Sequence, residues 1–213
     1  MYYMKKQQEH LDNISEIRSI MERSSRFISL SGLSGVIAGV FGLTGAFYIW
    51  QFFDFKFYPY YDEVYNSLGK VRMDFLVTLT TVAAVVLLAS LAFGIYFTTQ
   101  KARKQSLPIW GNTSRRMLIN LAIPLAAGGL FCFALVAHGL IYLIPSVTLI
   151  FYGLALLNAS KYTLNDIRYL GVLEICIGLV TAALPMYSLL FWALGFGLLH
   201  IIYGTAMYYK YER

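Results

Sequence analysis

The sequence predicts an all-α protein: a polytopic membrane bundle of six transmembrane helices with a cytoplasmic N-terminal amphipathic helix. Three observations predict it. Composition is the first: 58% of residues are hydrophobic and 13% charged, against about 25% charged in soluble domains, and the mean hydropathy is +0.61. Second, six apolar stretches lie at about 27–53, 74–98, 117–138, 140–158, 169–185 and 187–209. Their lengths are close to the ~20 residues that cross a hydrocarbon core about 30 Å thick. Third, fourteen of the seventeen Lys and Arg residues fall in alternate polar segments, as the positive-inside rule requires of a chain that crosses six times.

That third pattern also sets orientation. Lys5, Lys6, Arg18, Arg23 and Arg26 precede the first span; Lys101, Arg103, Lys104, Arg115 and Arg116 fill the second loop. Lys161 and Arg168 lie in the fourth loop, and Lys210 and Arg213 at the C-terminal end. The other face has Lys56, Lys70 and Arg72, diluted by Asp54, Asp62 and Glu63. Both termini are therefore expected in the cytoplasm. Ten-residue alternating strands are absent, and backbone polar groups in lipid must be satisfied within each segment, so the spans read as helices. The division is residues 1–26, the N-terminal helix, and residues 27–213, the transmembrane domain.

Residues 7–26 carry Leu11, Ile14, Ile17 and Met21 at three- and four-residue intervals, with Arg18–Glu22 and Glu22–Arg26 as i,i+4 charge pairs. Such a helix rests on lipid headgroups or docks a partner. No apolar core of a signal peptide precedes the first span, which is expected to act as its own insertion signal. That span has two ladders of small residues, Ser31–Gly35–Gly39 and Ser34–Ala38–Gly42–Ala46. Ladders of this kind let helix backbones approach, within the bundle by default or between protomers.

From Phe47 to Tyr65 the chain reads FYIWQFFDFKFYPYYDEVY. This is an outer-leaflet aromatic belt around a turn at Pro59, or a lid for a flat apolar ligand such as a quinone. The remaining spans form tight hairpins at His138-Gly139 and Pro185-Met186. Ile95-Tyr96-Phe97, Phe151-Tyr152-Gly153 and Ile202-Tyr203-Gly204 recur near the inner ends of the even-numbered spans, a pattern that interfacial tyrosines explain.

Ionisable groups inside spans are where function concentrates in such proteins. Glu174 and His200 lie at nearly equal chain distances on either side of the turn near residues 186–187, so antiparallel helices place them level near the midplane. Glu174 has Gly171 at i−3 and Gly178 at i+4; His200 has Gly197 and Gly204 at the same offsets. Those offsets share one helical face. The expectation is two glycine-cut grooves facing each other, with an acid and an imidazole at the seam and Tyr203 one turn away. An acid–imidazole pair can share a proton and serve as a proton- or ligand-binding site, or it can be a polar contact that fixes helix register.

The remaining signals exclude more than they assign. The net charge of +6 belongs to loops beside anionic lipid and forms no nucleic-acid-binding pattern. Cys132 and Cys176 have neither metal nor redox spacing and read as packing residues. His138 ends a helix, and no GxSxG, HExxH or Walker motif is present. No cofactor or metal is called for, and an intramembrane enzyme ranks last because no nucleophile or metal set accompanies the pair.

IRSIMERSSRFISLSGLSGVIAG (Ile17 to Gly39) and FYGLALLNASKYTLNDIRYLG (Phe151 to Gly171) resemble segments of a family of bacterial six-helix integral membrane proteins without an assigned activity. The resemblance implies six helices in a bacterial cytoplasmic membrane and lends no functional residues. Two functions remain open. One is a protein that binds or transports a small solute, proton-coupled through Glu174 and His200. The other is a non-enzymatic subunit or sensor that docks a protein partner or a second copy through its N-terminal helix and small-residue faces.

Overall fold

The computed structural model describes residues 30–52, 72–104 and 110–213, all helix, turn or connection with no strand among them. The helices are α1 (Gly32–Phe52), α2 (Met73–Lys104), α3 (Asn112–Ala137), α4 (Ile144–Ala159), α5 (Asp166–Ala183), α6 (Ser188–Trp192) and α7 (His200–Tyr211). Between α6 and α7 lies a π-helical segment, Ala193–Leu199. Short 3-10 turns, Ile141–Leu143, Ser160–Tyr162 and Pro185–Tyr187, flank α4 and open α6. The N-terminal amphipathic helix and most of the aromatic cluster lie outside the described residues.

Among the described residues, five helices are long and apolar enough to cross a membrane: Gly32–Phe52, Met73–Lys104, Asn112–Ala137, Ile141–Tyr162 and Pro185–Tyr211. This is a membrane protein of the multi-pass kind. The fifth predicted span, α5, has 18 residues and holds Asp166, Arg168 and Glu174, which dilute its apolar character. The helix α2 runs beyond its predicted end at 98 to take in Lys101 and Lys104.

Each end of the bundle has its own cluster. Ile49, Phe75 and Ile141 are buried together, with Val136, Ile144 and Leu189 packed on them. They join the end of α1, the start of α2, the end of α3 and the starts of α4 and α6. At the other end Leu156, Leu164, Ile167, Leu170 and Met207 form the core, with Leu30 and Leu121 against it. The helices α1 to α5 therefore alternate in direction, α6, the π-helical segment and α7 run on as one, and the basic ends of α2, α5 and α7 come together.

Polar clasps fix that basic end. Glu212 accepts hydrogen bonds from the Gly32 backbone N–H at 2.5 Å and from Ser31 Oγ at 3.2 Å, so a carboxylate sits on the positive end of the α1 dipole. Lys101, only 8% exposed, reaches the same carboxylate at 3.4 Å and donates to the Leu30 carbonyl at 2.8 Å. Asp166 at the head of α5 accepts from Lys210 at 3.0 Å and from the Tyr211 hydroxyl at 2.6 Å. At the opposite end α3 stops in a Schellman motif. Leu140 N–H bonds the Leu135 carbonyl and Gly139 N–H the Val136 carbonyl, with Gly139 at φ 73° in the left-handed region that favours glycine.

Small residues decide which helices meet. A Cβ on Gly39 would lie 2.6 Å from the Gly197 carbonyl oxygen, and one on Gly42 2.6 Å from that of Phe196. The ladders of α1 are thus used inside the bundle, against the π-helical segment and α7. Another close seam joins α4 to α5. There Gly153 and Gly171 cross backbone to backbone, and Ser146 Oγ donates to the Gly178 carbonyl at 2.7 Å. The outer helix α2 leaves Val85, Leu87, Leu88, Leu91 and Ile95 exposed, and α3 leaves Ile123, Leu130 and Phe133. Without a hydrophobic driving force between helices in lipid, such faces are stable outside and close packing holds the interior.

Candidate functional site

Glu174 is fully buried and His200 is 6% exposed. Their side chains meet at 3.4 Å, Glu174 Oε1 to His200 Nδ1, on neighbouring antiparallel elements as the chain distances predict. Glu174 lies a little over two turns into α5, where Gly195 makes room for it. A Cβ there would stand 2.6 Å from Glu174 Oε2 and 2.5 Å from Leu149 Cδ2. Neither carboxyl oxygen has a hydrogen-bond partner among the described residues. A buried polar group left in that state costs about 1–3 kcal/mol, and such exceptions mark catalytic, ion or ligand sites more than they mark packing.

The imidazole, by contrast, is fully engaged. His200 Nδ1 is 2.9 Å from the Gly195 carbonyl oxygen, and Nε2 is 2.8 Å from the Tyr152 hydroxyl. A carbonyl oxygen only accepts, so Nδ1 carries a proton. In the neutral ring Nε2 is then an acceptor, and the Tyr152 hydroxyl donates to it. The 3.4 Å approach of Glu174 exceeds the 2.7–2.9 Å typical of a charge-assisted bond.

The π-helical segment produces this contact. π turns are rare and concentrate at functional sites. Here one directs the Gly195 carbonyl toward a ring five residues later and sets Gly195 beneath Glu174. It also stacks Trp192, Phe196 and His200 along one face, with centroid separations of 4.9 Å and 5.9 Å, and Tyr152 packs on Phe196 at 5.0 Å. Aromatic rings thus close the site against lipid.

Two sequence expectations take a different form. Tyr203 packs beside the Leu156–Met207 cluster, and no hydrogen bond joins it to the pair among the described residues. The hydroxyl that completes the site is that of Tyr152 on α4, which turns inward and does not sit at the interface. The four glycines do lie at close helix contacts, but the two pairs do not face each other. Gly171 and Gly178 meet Gly153, Leu156 and Ile150 of α4, whereas Gly204 meets Gly32, Gly35 and Val36 of α1, and Gly197 meets Leu43 of α1. A glycine two residues before Gly197, at Gly195, is the one that admits Glu174. Its signal was present in the run AxGxG, but a 3.6-residue period assigns Gly195 to another face.

A cleft of about 460 Å³ lies elsewhere, between α1 and α2, lined by Phe41, Thr44, Gly45, Tyr48, Thr78, Thr81 and several valines. It borders α1, whose Gly42 contacts the π-helical segment and whose Gly45 contacts Val86 of α2. Among the described residues no cluster of three or more His, Cys, Asp or Glu side chains could hold a metal. Cys132 and Cys176 are both unpaired thiols. Comparison of the chain with protein-family models, curated proteins and solved structures finds no match.

Proposed function

We propose that this chain is a six-span protein of the bacterial cytoplasmic membrane, with both termini cytoplasmic, that binds or transports a small solute in exchange with a proton held at Glu174 and His200. The observation that carries the reading is Glu174 itself: a fully buried carboxyl, neither oxygen with a hydrogen-bond partner among the described residues, beside an imidazole in the interior of the bundle. Counted as the fifth of the six spans, α5 has a polar start clasped by Lys210 and Tyr211 at the basic end. Its Glu174 faces protein, as intramembrane acids do. Enclosure around Glu174 leaves room for a proton, while the α1–α2 cleft is within the 300–1,000 Å³ range of small-molecule sites and presents the hydroxyls of Thr78, Thr81 and Tyr48. The two sites share α1. An apolar or weakly polar solute entering from the bilayer suits that lining.

Native mass spectrometry of the protein extracted gently from its own membrane tests this. A small molecule whose retention by the wild type changes with pH, and by Glu174→Gln does not, supports the reading. A protein partner held equally by both at every pH contradicts it and makes the chain a subunit or sensor.

A further inference from the structure

We infer that His200 Nδ1–H is a two-position switch, resting on the Gly195 carbonyl when Glu174 holds a proton and turning to Glu174 Oε1 when it does not, with Tyr152 the positioning residue that anchors the ring at Nε2. The inference rests on the reading of Glu174 as a proton site and specifies how that site acts on the fold.

Two acceptors compete for one donor. His200 Nδ1 lies 2.9 Å from the Gly195 carbonyl oxygen and 3.4 Å from Glu174 Oε1, so a small rotation of the ring exchanges them. A neutral carboxyl is the weaker competitor, and the backbone carbonyl holds the hydrogen. When the acid proton leaves to water, the carboxylate becomes the stronger acceptor, because bonds to an ionised partner are shorter and roughly twice as strong. The titratable side chains facing Glu174 are His200 on α7 and Tyr152 on α4; the π-helical segment and α6 carry none, and α1 meets the other side of that segment. Among the described residues no further charge faces the pair.

The tautomer is essential. With the hydrogen on Nε2 instead, Nδ1 would turn a lone pair toward a carbonyl oxygen and toward a carboxylate. The Gly195 carbonyl, which only accepts, excludes that form, and the Tyr152 hydroxyl, 2.8 Å from Nε2, then donates to it. The consequence reaches α1. Release of the Gly195 carbonyl frees an acceptor within the π-helical turn, and the next residues of that turn, Phe196 and Gly197, are those whose carbonyls lie against Gly42 and Gly39. Relaxation of the turn therefore displaces the face on which α1 rests.

The test is nitrogen-15 NMR of histidine-labelled protein in liposomes, with the His200 signals assigned by their loss in His200→Gln. At acidic pH the wild type is expected to show a protonated Nδ1 and a bare Nε2. On alkaline titration the Nδ1–H shift moves as its partner changes from amide carbonyl to carboxylate. In Glu174→Gln that movement is abolished; in Tyr152→Phe, which removes the donor to Nε2, the Nε2 signal shifts while Nδ1 stays protonated. A wild-type ring protonated on Nε2, a shift that moves equally in Glu174→Gln, or an Nε2 signal unmoved in Tyr152→Phe overturns the switch. Wild type and Glu174→Gln decide the first two points even if Tyr152→Phe misfolds. No solute enters the experiment: a static ring with pH-dependent solute retention defeats the switch alone, and a moving ring with no retained solute defeats the proposed function alone.

Discussion

Glu174 and His200 stand 3.4 Å apart on α5 and α7, yet the imidazole makes its shorter contacts elsewhere, 2.9 Å to Gly195 and 2.8 Å to Tyr152. The acid is thus held beside a donor that is already engaged. An arrangement selected only to fix register would satisfy both partners, since an unmet buried group costs more than a met one returns. That asymmetry is the basis of the predictions.

Glu174→Gln conserves volume and exchanges a protonated acid for an amide of similar shape. We expect the bundle to fold, with stability changed by about 1 kcal/mol or less on the scale of ordinary substitutions, and pH-dependent solute retention to be abolished. Thermal unfolding in detergent, measured beside retention, separates the two effects. A variant that fails to fold would make Glu174 structural.

Gly195→Ala places a methyl 2.6 Å from Glu174 Oε2 and 2.5 Å from Leu149 Cδ2. Overpacking of this kind costs about 1–3 kcal/mol, and here it also pushes the carboxyl away from His200. A lowered melting temperature together with loss of the Glu174-dependent pH response is expected; a fall in stability with the response intact would dissociate Gly195 from the site.

Gly39→Ala sets a Cβ 2.6 Å from the Gly197 carbonyl oxygen and 2.9 Å from Ile201 N. Backbone cannot yield as a side chain can, so α1 must move off the π-helical segment, and a loss of about 1–3 kcal/mol follows. Gly94→Ala is the control. Nothing lies within 4 Å of its added methyl, and helix propensity predicts a gain of about 0.5–1 kcal/mol. Melting temperatures of the two variants should shift in opposite directions.

At the basic end, burial works to raise the Asp166 pKa, but the hydrogen bonds from Tyr211 and Lys210 outweigh it and hold the carboxyl below its ordinary value of 3.8. The sign follows from linkage: the folded state binds this proton less readily than the unfolded one. The contribution to stability is therefore complete above the ordinary carboxylate pKa and declines as pH falls through the lowered one. Asp166→Asn should be less stable than the wild type at neutral pH, and the gap should close in acid. Melting curves across that range decide it; a gap independent of pH would mean that the charge is not what holds α5 to α7.

The sequence made the level of Glu174 and His200 legible because a tight hairpin converts chain distance into depth. It also marked the glycines, because close approach demands them wherever it occurs. It could not say against which helix each glycine packs, since periodicity defines a face and not the neighbour that the face meets. Gly171 and Gly178 accordingly turn to α4, and Gly197 and Gly204 to α1. Tyr152 was hidden for the same reason: its partner is 48 residues away on a helix that is not adjacent in sequence. Glu212, one residue from the end of the chain, gave no sign that it would cap α1. The π-helical segment left only glycines and apolar residues to read, and nothing in those distinguishes π from α.

The central claim is that Glu174 exchanges a proton within the folded bundle. Infrared difference spectroscopy of the protein in liposomes, from acidic to alkaline pH, tests it most directly. The account predicts a carboxylic acid C=O band that gives way to carboxylate bands as pH rises and is missing from Glu174→Gln. Spectra in which no carboxyl band depends on Glu174, or in which that band persists unchanged across the range, would contradict it.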